Sequence, residues 1–364
     1  MNTVRVSNLP DRCRKIPGIG NVMTNYRFPY PEPPANGALL EVAPGVLWLR
    51  MPLPYRLDHI NIYLIADGDG WCVLDAGIHD DRTIELWKAL LAGPLAGTRL
   101  TRLIVTHHHP DHIGMAGWLC RETGVPLATS QTAYLACANL ALDPESVKNR
   151  QFHDFYTNHG VSNEVADLMG TNGLNYLRMV SALPNSFLRL VSGDTLLVGK
   201  RRFRIFTGDG HAPEQVMLYC DEDRLFFCAD QVIAKISPNV AVWPSEPDGD
   251  PLGHFLRTAR EIRDNVPDNA LVLPGHQLPF RGLHARCNEL LEHHERRCDL
   301  IREATLDRPM TANELVPVIF HRELDLHQFG FAFSETLAHI NRMLRRAELA
   351  KVIVGDGVAR YRTS

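Results

Sequence analysis

The chain of 364 residues has no apolar run long enough for a membrane span, no Cys-x-x-Cys pair and no glycine-rich phosphate loop behind a strand. The first absence excludes a spanning helix. The second, with eight cysteines scattered along the chain, excludes a disulfide scaffold and a thiolate zinc cage, so the cysteines read as reduced and mostly buried thiols. The third argues against a nucleotide-phosphate cradle. Charge imbalance is small as well. Lys and Arg number 38 against 42 Asp and Glu, for a formal net charge of −4, so the whole chain is no electrostatic clamp for nucleic acid. The polar, arginine-bearing start Met1–Lys15 lacks a secretory apolar core, and the expected location is cytoplasmic, with no membrane partner.

What the chain does have is histidine, concentrated in Thr106-His107-His108-His109-Pro110-Asp111-His112. The apolar run Leu103-Ile104-Val105 before it reads as a buried strand and Gly114 onward as a helix, so this loop directs several metal-ligand side chains to one point. Further ligand-capable residues follow later strand-like runs. His211 follows Phe203–Phe206, Asp230 follows Leu225–Phe227, and His276 follows Ala270–Leu273. Each stands just past the carboxyl end of a strand, where open α/β sheets place their sites. Asp75 ends the run Trp71–Leu74 in the same way, with an ordinary turn role as the competing reading.

The pattern His-x-His-x-Asp-His followed by His, Asp and His resembles the metallo-β-lactamase superfamily over roughly residues 40–280. The resemblance implies an α/β fold, the αβ/βα sandwich, and a centre of two divalent metal ions. By position, His107, His109 and His211 match its first metal site and Asp111, His112 and His276 the second. Asp230 matches the bridging carboxylate, Asp75 an aspartate beneath the site, and His108 and Pro110 are spacers. It further implies a metal-bound hydroxide as nucleophile, with Asp111 both ligand and catalytic group. The ligands are nitrogen and oxygen only, so zinc is the first choice, with iron or manganese open at the second site. Relatives that hydrolyse β-lactams commonly carry Cys at the position of Asp230, so antibiotic hydrolysis is not the expected activity.

The expected organisation is an extended segment over 1–38, a catalytic domain over 39–284 with a helical lid over about 131–190, and a small unit over 285–364. Helical stripes at Leu290–Ile301 and Leu337–Ala347, a capping box at Thr311–Glu314 and a closing hairpin give that unit a winged-helix-like α+β layout. Two functions compete. A small-molecule hydrolase acting on a thioester, lactone or ester is favoured by the lid residues Phe152, Phe155, Tyr156, Tyr176 and Met179. Phe155, Tyr156 and His59 are its candidate substrate contacts, with His153 and His159 as further candidates. A phosphodiesterase or endoribonuclease is the alternative, through Arg342, Arg345, Arg346, Lys351 and Arg360 in the tail. The expected partner is thus a small molecule, with nucleic acid disfavoured and a homodimer as another use of the tail. His284, His293, His294, His321, His327 and His339 are expected to be surface or locally bonded residues.

Overall fold

The structure is a computed structural model and describes residues 26–142, 150–353 and 355–364. The expected extended segment therefore lies outside the described residues up to residue 25, as do a short part of the lid and Val354 of the hairpin.

A first sheet takes the order β1 (Leu39–Ala43), β2 (Val46–Pro52), β3 (His59–Asp67), β4 (Gly70–Leu74), β5 (Leu100–Ile104), β6 (Leu127–Thr129) and β7 (Leu188–Arg189). Its first four strands are antiparallel neighbours, and β4 to β7 run parallel. The parallel crossovers carry α1 (Asp81–Ala92), α2 (Pro110–Ile113) and α3 (Ala116–Thr123), and then α4 (Gln131–Leu142), α5 (Arg150–Thr157) and α6 (Asn163–Arg178). The second sheet is β8 (Thr195–Val198), β9 (Arg201–Gly208), β10 (Gln215–Cys220), β11 (Leu225–Ala229) and β12 (Leu271–Pro274), with α7 (Pro251–Asn265) between the last two. Three helices close the chain: α8 (Leu283–Ala304), α9 (Ala312–Ile319) and α10 (Leu326–Arg345). A ribbon of β13 (Leu349–Ile353) and β14 (Ala359–Thr363) follows them.

Strand periodicity explains the layers. Along β3, Ile62 and Leu64 pack with Trp87 of α1 and Leu119 of α3, whereas Tyr63 and Ile65 point the other way onto Phe203, Leu218 and Phe227 of the second sheet. Along β10 and β11 every residue is buried, because Leu218 and Phe227 meet the first sheet while Tyr219 and Phe226 meet the outer helices. The result is the expected four-layer αβ/βα sandwich.

The tail has the expected three helices and ribbon, and the Thr311–Glu314 capping box forms. It is not walled off from the rest. Phe255 of α7, Leu290 of α8, Phe333 of α10, Tyr361 of β14 and Phe155 of α5 share one continuous buried cluster. Two expectations are corrected by that packing. Of the surface and local places expected for the tail histidines, His294 and His339 leave the first: both are fully buried between α8 and α10, where their rings meet across 3.2 Å and His339 keeps a local bond to the Glu335 carbonyl. Phe155 and Tyr156, 5% exposed each, press against Phe333 of α10, so the aromatic face of α5 is turned to the tail and presents no open wall to a substrate.

Candidate metal centre

The ligand loop sits where β5 ends, and Pro110 at the first turn of α2 pre-sets the helical bend that brings Asp111 and His112 back toward His107 and His109. His107, His109 and His211 bring one nitrogen each within 4.8 Å of one another, and so do the donor atoms of Asp111, His112 and His276. Asp230 stands between the groups. Its Oδ2 is 3.4 Å from His211 Nε2, 3.5 Å from His112 Nε2 and 3.2 Å from His276 Nε2. Asp111 Oδ2 lies 3.3 Å from His276 Nε2. All seven residues expected from the sequence as ligands therefore converge, and His108 does not join them.

Tautomers follow from the outer contacts. His112 Nδ1 donates to Asp75 Oδ2 at 2.8 Å, His211 Nδ1 to the Asn239 carbonyl at 2.8 Å, and His276 Nδ1 to the His59 carbonyl at 2.7 Å. Each Nε2 is left as a bare lone pair aimed inward, and carboxylate or carbonyl support of this kind raises its basicity as a ligand. His112 Nε2, His211 Nε2 and Asp230 Oδ1 are buried without a hydrogen-bond partner among the described residues. Buried acceptors in that state are costly unless something fills the gap between them, and a divalent cation fits this donor set.

The electrostatics divide the centre. Burial and the crowding of imidazoles push His107 and His109 well below the ordinary histidine range. His112 is instead held well above it, because Asp230, Asp75 and Asp111 outweigh its burial. His276 is likewise raised to about 10 against its burial, by Asp230 and Asp111. The carboxylate side of the cage therefore favours positive charge, whether proton or metal.

Apart from Asp75, the supports around the ligands had no signal in the sequence. Asp75 (φ 64°), Ala229 (φ 46°) and Gln277 (φ 66°) adopt left-handed backbone, which costs energy for non-glycine residues and here aims Asp75, Asp230 and His276. The Asp75 carboxylate accepts from Thr106 N at 2.8 Å and Thr106 Oγ1 at 3.0 Å, as well as from His112. Gly275 is required by close approach: a Cβ there would stand 2.3 Å from Asp230 Oδ1 and 2.9 Å from His112 Cε1. The first sheet grips the His276 turn. Asn61 Nδ2 donates to the Pro274 and Gln277 carbonyls, and Tyr63 Oη donates to Pro274.

The remaining sequence candidates fall at different places. His59 orients His276 through its backbone carbonyl, while its own ring is tied to Asp58 and Gln277. His153 lies near Asp154 and Asp167, and His159 bonds the Phe155 carbonyl and stacks toward Tyr361. Of the lid residues, Tyr176 reaches the metal loop, donating to the His108 carbonyl at 2.5 Å. Tyr55, unremarked in the sequence, donates to Met179 Sδ and stacks 5.5 Å from His327, with Phe331 next in line. Burial first, and then the field of Asp111, raises the Tyr55 phenol. In the tail, Arg342 and Arg346 pair with Glu295, Arg346 also with Glu348, and Arg360 with Asp356. Among the described residues no helix is long and apolar enough to cross a membrane.

Comparison with known proteins agrees with this geometry. Residues 55–287 match the metallo-beta-lactamase superfamily, and residues 298–364 match the family described as metallo-beta-lactamase-like, C-terminal domain. A crystal structure of a beta-lactamase domain protein from Burkholderia ambifaria is 35% identical, with a TM-score of 0.86 over 93% of this chain and 98% of that one. The probable metallo-hydrolase YqjP of Bacillus subtilis is 23% identical over 81% of this chain and 91% of its own length. A hydroxyacylglutathione hydrolase of Pseudomonas putida is 29% identical over 56% of this chain and 71% of its own.

Proposed function

The chain belongs to the metallo-beta-lactamase superfamily and is a metal-dependent hydrolase, and from that premise we propose that it uses two ions to cleave an acyl bond of a small molecule, a thioester or lactone first. The observation that carries the two-ion reading is Asp230 Oδ2, which faces His211 of one ligand group and His112 and His276 of the other. His107, His109 and His211 would hold one ion, and Asp111, His112 and His276 the second. Zinc suits the all-nitrogen-and-oxygen set best, with iron or manganese as alternatives at the second position. When bound, such ions supply Lewis acidity that makes water nucleophilic near neutral pH and polarises the electrophilic oxygen.

The chain's own residues do the positioning. Asp75, locked by Thr106, keeps the His112 proton on Nδ1, and the His59 carbonyl does the same for His276. Asp111 has a side chain 18% exposed against 6% for Asp230, so it is the carboxylate that faces the open side and can orient or accept a proton. Tyr55, Met179 and His327 supply an apolar and aromatic rim.

Acyl chemistry is favoured over phosphodiester cleavage for two reasons. The Pseudomonas putida relative is named for a thioester hydrolase activity. Of the five basic tail residues, Arg342, Arg346 and Arg360 pair with carboxylates, which leaves Arg345, bonded to the Asp248 carbonyl, and Lys351 to meet a nucleic-acid backbone. A parallel screen of metal-loaded protein against acyl thioesters, lactones, a generic phosphodiester and short RNA tests the reading. Turnover of a thioester or lactone is expected, and turnover of RNA alone would overturn it.

A further inference from the structure

Beside the His276 turn lies a cavity of about 200 Å3 that the hydrolytic machinery does not use. Its walls include Phe28 from the N-terminal segment, Arg50 of β2, His59 of β3, Lys235 from the chain after Asp230, and Gln277, which directly follows His276. Three distant parts of the sequence thus meet one residue away from a metal-ligand position. Pairing of Arg50 with Asn61 and of Pro52 with His59 puts the Arg50 and His59 side chains on the same sheet face, diagonal to each other.

The charges in this cavity are not balanced. Arg50 has no hydrogen-bond or ion-pair partner for its guanidinium among the described residues, and its Nε is enclosed. The nearby Asp58 carboxylate accepts from His59 Nδ1 at 2.7 Å and keeps its charge, which offsets part of that of Arg50 and leaves one positive charge in excess once Lys235 is counted. Lys235 Nζ stands 5.4 Å from the centre of the Phe28 ring, and no carboxylate pairs with it among the described residues. His59 adds no counter-charge: its Nε2 accepts from Gln277 N at 2.8 Å, which fixes it as the neutral Nδ1–H tautomer. A half-buried guanidinium without a hydrogen-bond partner among the described residues, next to an ammonium, is an arrangement that an anion stabilises. The planar fork of arginine matches carboxylate and phosphate oxygens, and Phe28 offers an apolar wall to the atoms that join such a group to the reacting bond.

We propose that this cavity is an anion subsite, in which Arg50 and Lys235 hold a carboxylate or phosphate carried by the substrate while its acyl bond lies at the metal centre. The inference rests on the acyl-hydrolase reading and narrows its substrate class to anionic esters or thioesters. The test uses the metal-loaded full chain and three matched S-acetyl thioesters, of 3-mercaptopropionate, 2-mercaptoethyl phosphate and the neutral 2-mercaptoethanol. The intact chain should show a KM about tenfold lower for at least one anionic thioester than for the neutral one, as expected for a charged hydrogen-bonded contact. Whichever anion gains more identifies the group. In the Arg50→Gln/Lys235→Gln variant that KM should rise about tenfold with kcat nearly unchanged, and the neutral thioester should be unaffected. Equal KM values for all three thioesters, or an equal rise for the neutral one, would overturn the subsite while leaving acyl hydrolysis intact. Hydrolysis of none of them would instead count against the acyl reading. Calorimetric titration with 3-(methylthio)propionate and methyl phosphate then decides the cavity by itself. Binding lost in the double variant sustains it, and binding absent from the intact chain or equal in both proteins refutes it.

Discussion

Histidines gather at two buried places in this chain. At the end of β5, five imidazoles meet Asp111 and Asp230, and among the described residues those carboxylates have only the histidines around them as partners. Between α8 and α10, His293, His294 and Glu335 bring their donor atoms just as close, with His339 alongside. Proximity is similar in the two places, and charge is not. Glu335 is already paired with Arg297, and burial, followed by the neighbouring His339 and His293 and then Arg297 and Arg342, drives His294 well below the ordinary histidine range. His339 Nδ1 donates to the Glu335 carbonyl, so its Nε2 accepts from His294 Nδ1, and both rings are neutral, with His294 Nε2 left without a hydrogen-bond partner among the described residues. The two clusters thus differ in their carboxylates: Asp111 and Asp230 pair with no lysine or arginine among the described residues, whereas Glu335 is taken up by Arg297.

The largest effect that sharpens this contrast should come from Gly275→Ala. The added methyl must displace Asp230 or His112, and misplacement on the order of 1 Å can cost about a hundredfold in rate. Steady-state kcat should fall accordingly while circular dichroism stays native, and an unchanged kcat would mean that the Asp230 position is not critical. Next in size, Asp75→Asn leaves His112 without its anionic partner and should weaken metal affinity by about ten- to a hundredfold, measured by competition with a chelator. Retained affinity would reduce Asp75 to a turn residue.

Phe155→Ala belongs to the other side of the comparison. It opens a cavity against Phe333 and should cost about 3–5 kcal/mol of stability in denaturant titration, with KM unaltered. A raised KM at unchanged stability would return Phe155 to the substrate wall. The smallest effect is a pH slope. His339 is depressed to about 3 by its burial and by Arg297, far below its value in an unfolded chain. The unfolded state therefore binds the proton first, and stability that is complete above about pH 6.5 declines as pH falls toward 3. His339→Gln should flatten that decline in acid unfolding curves, and an identical slope would show that the ring is not held neutral.

How much of this was legible beforehand depends on where the information resides. The convergence of the seven candidate ligands was readable because each is a residue type with few other uses, placed at a strand end or at fixed spacing in one loop. The layers were readable from alternation, as in Ile62 against Tyr63. Of the supports, Asp75 was readable from its strand-end position and the others were not. The carbonyls of His59 and Asn239 could have come from any residue, and left-handed backbone at Ala229 and Gln277 carries no glycine to announce it. Helical periodicity correctly marks that α5 buries an aromatic face, yet it cannot say that the face meets α10 in place of the metals. The same limit hid the His294–His339 pair, whose members are 45 positions apart and only become partners once two helices pack.

The central claim, that the strand-end cluster and not the helical one holds the ions, is tested most directly by elemental analysis of three metal-supplemented proteins. The intact chain and His294→Leu should each carry about two divalent ions, and Asp230→Ala should carry one or fewer. A full complement in Asp230→Ala, or an ion lost from His294→Leu, would contradict it.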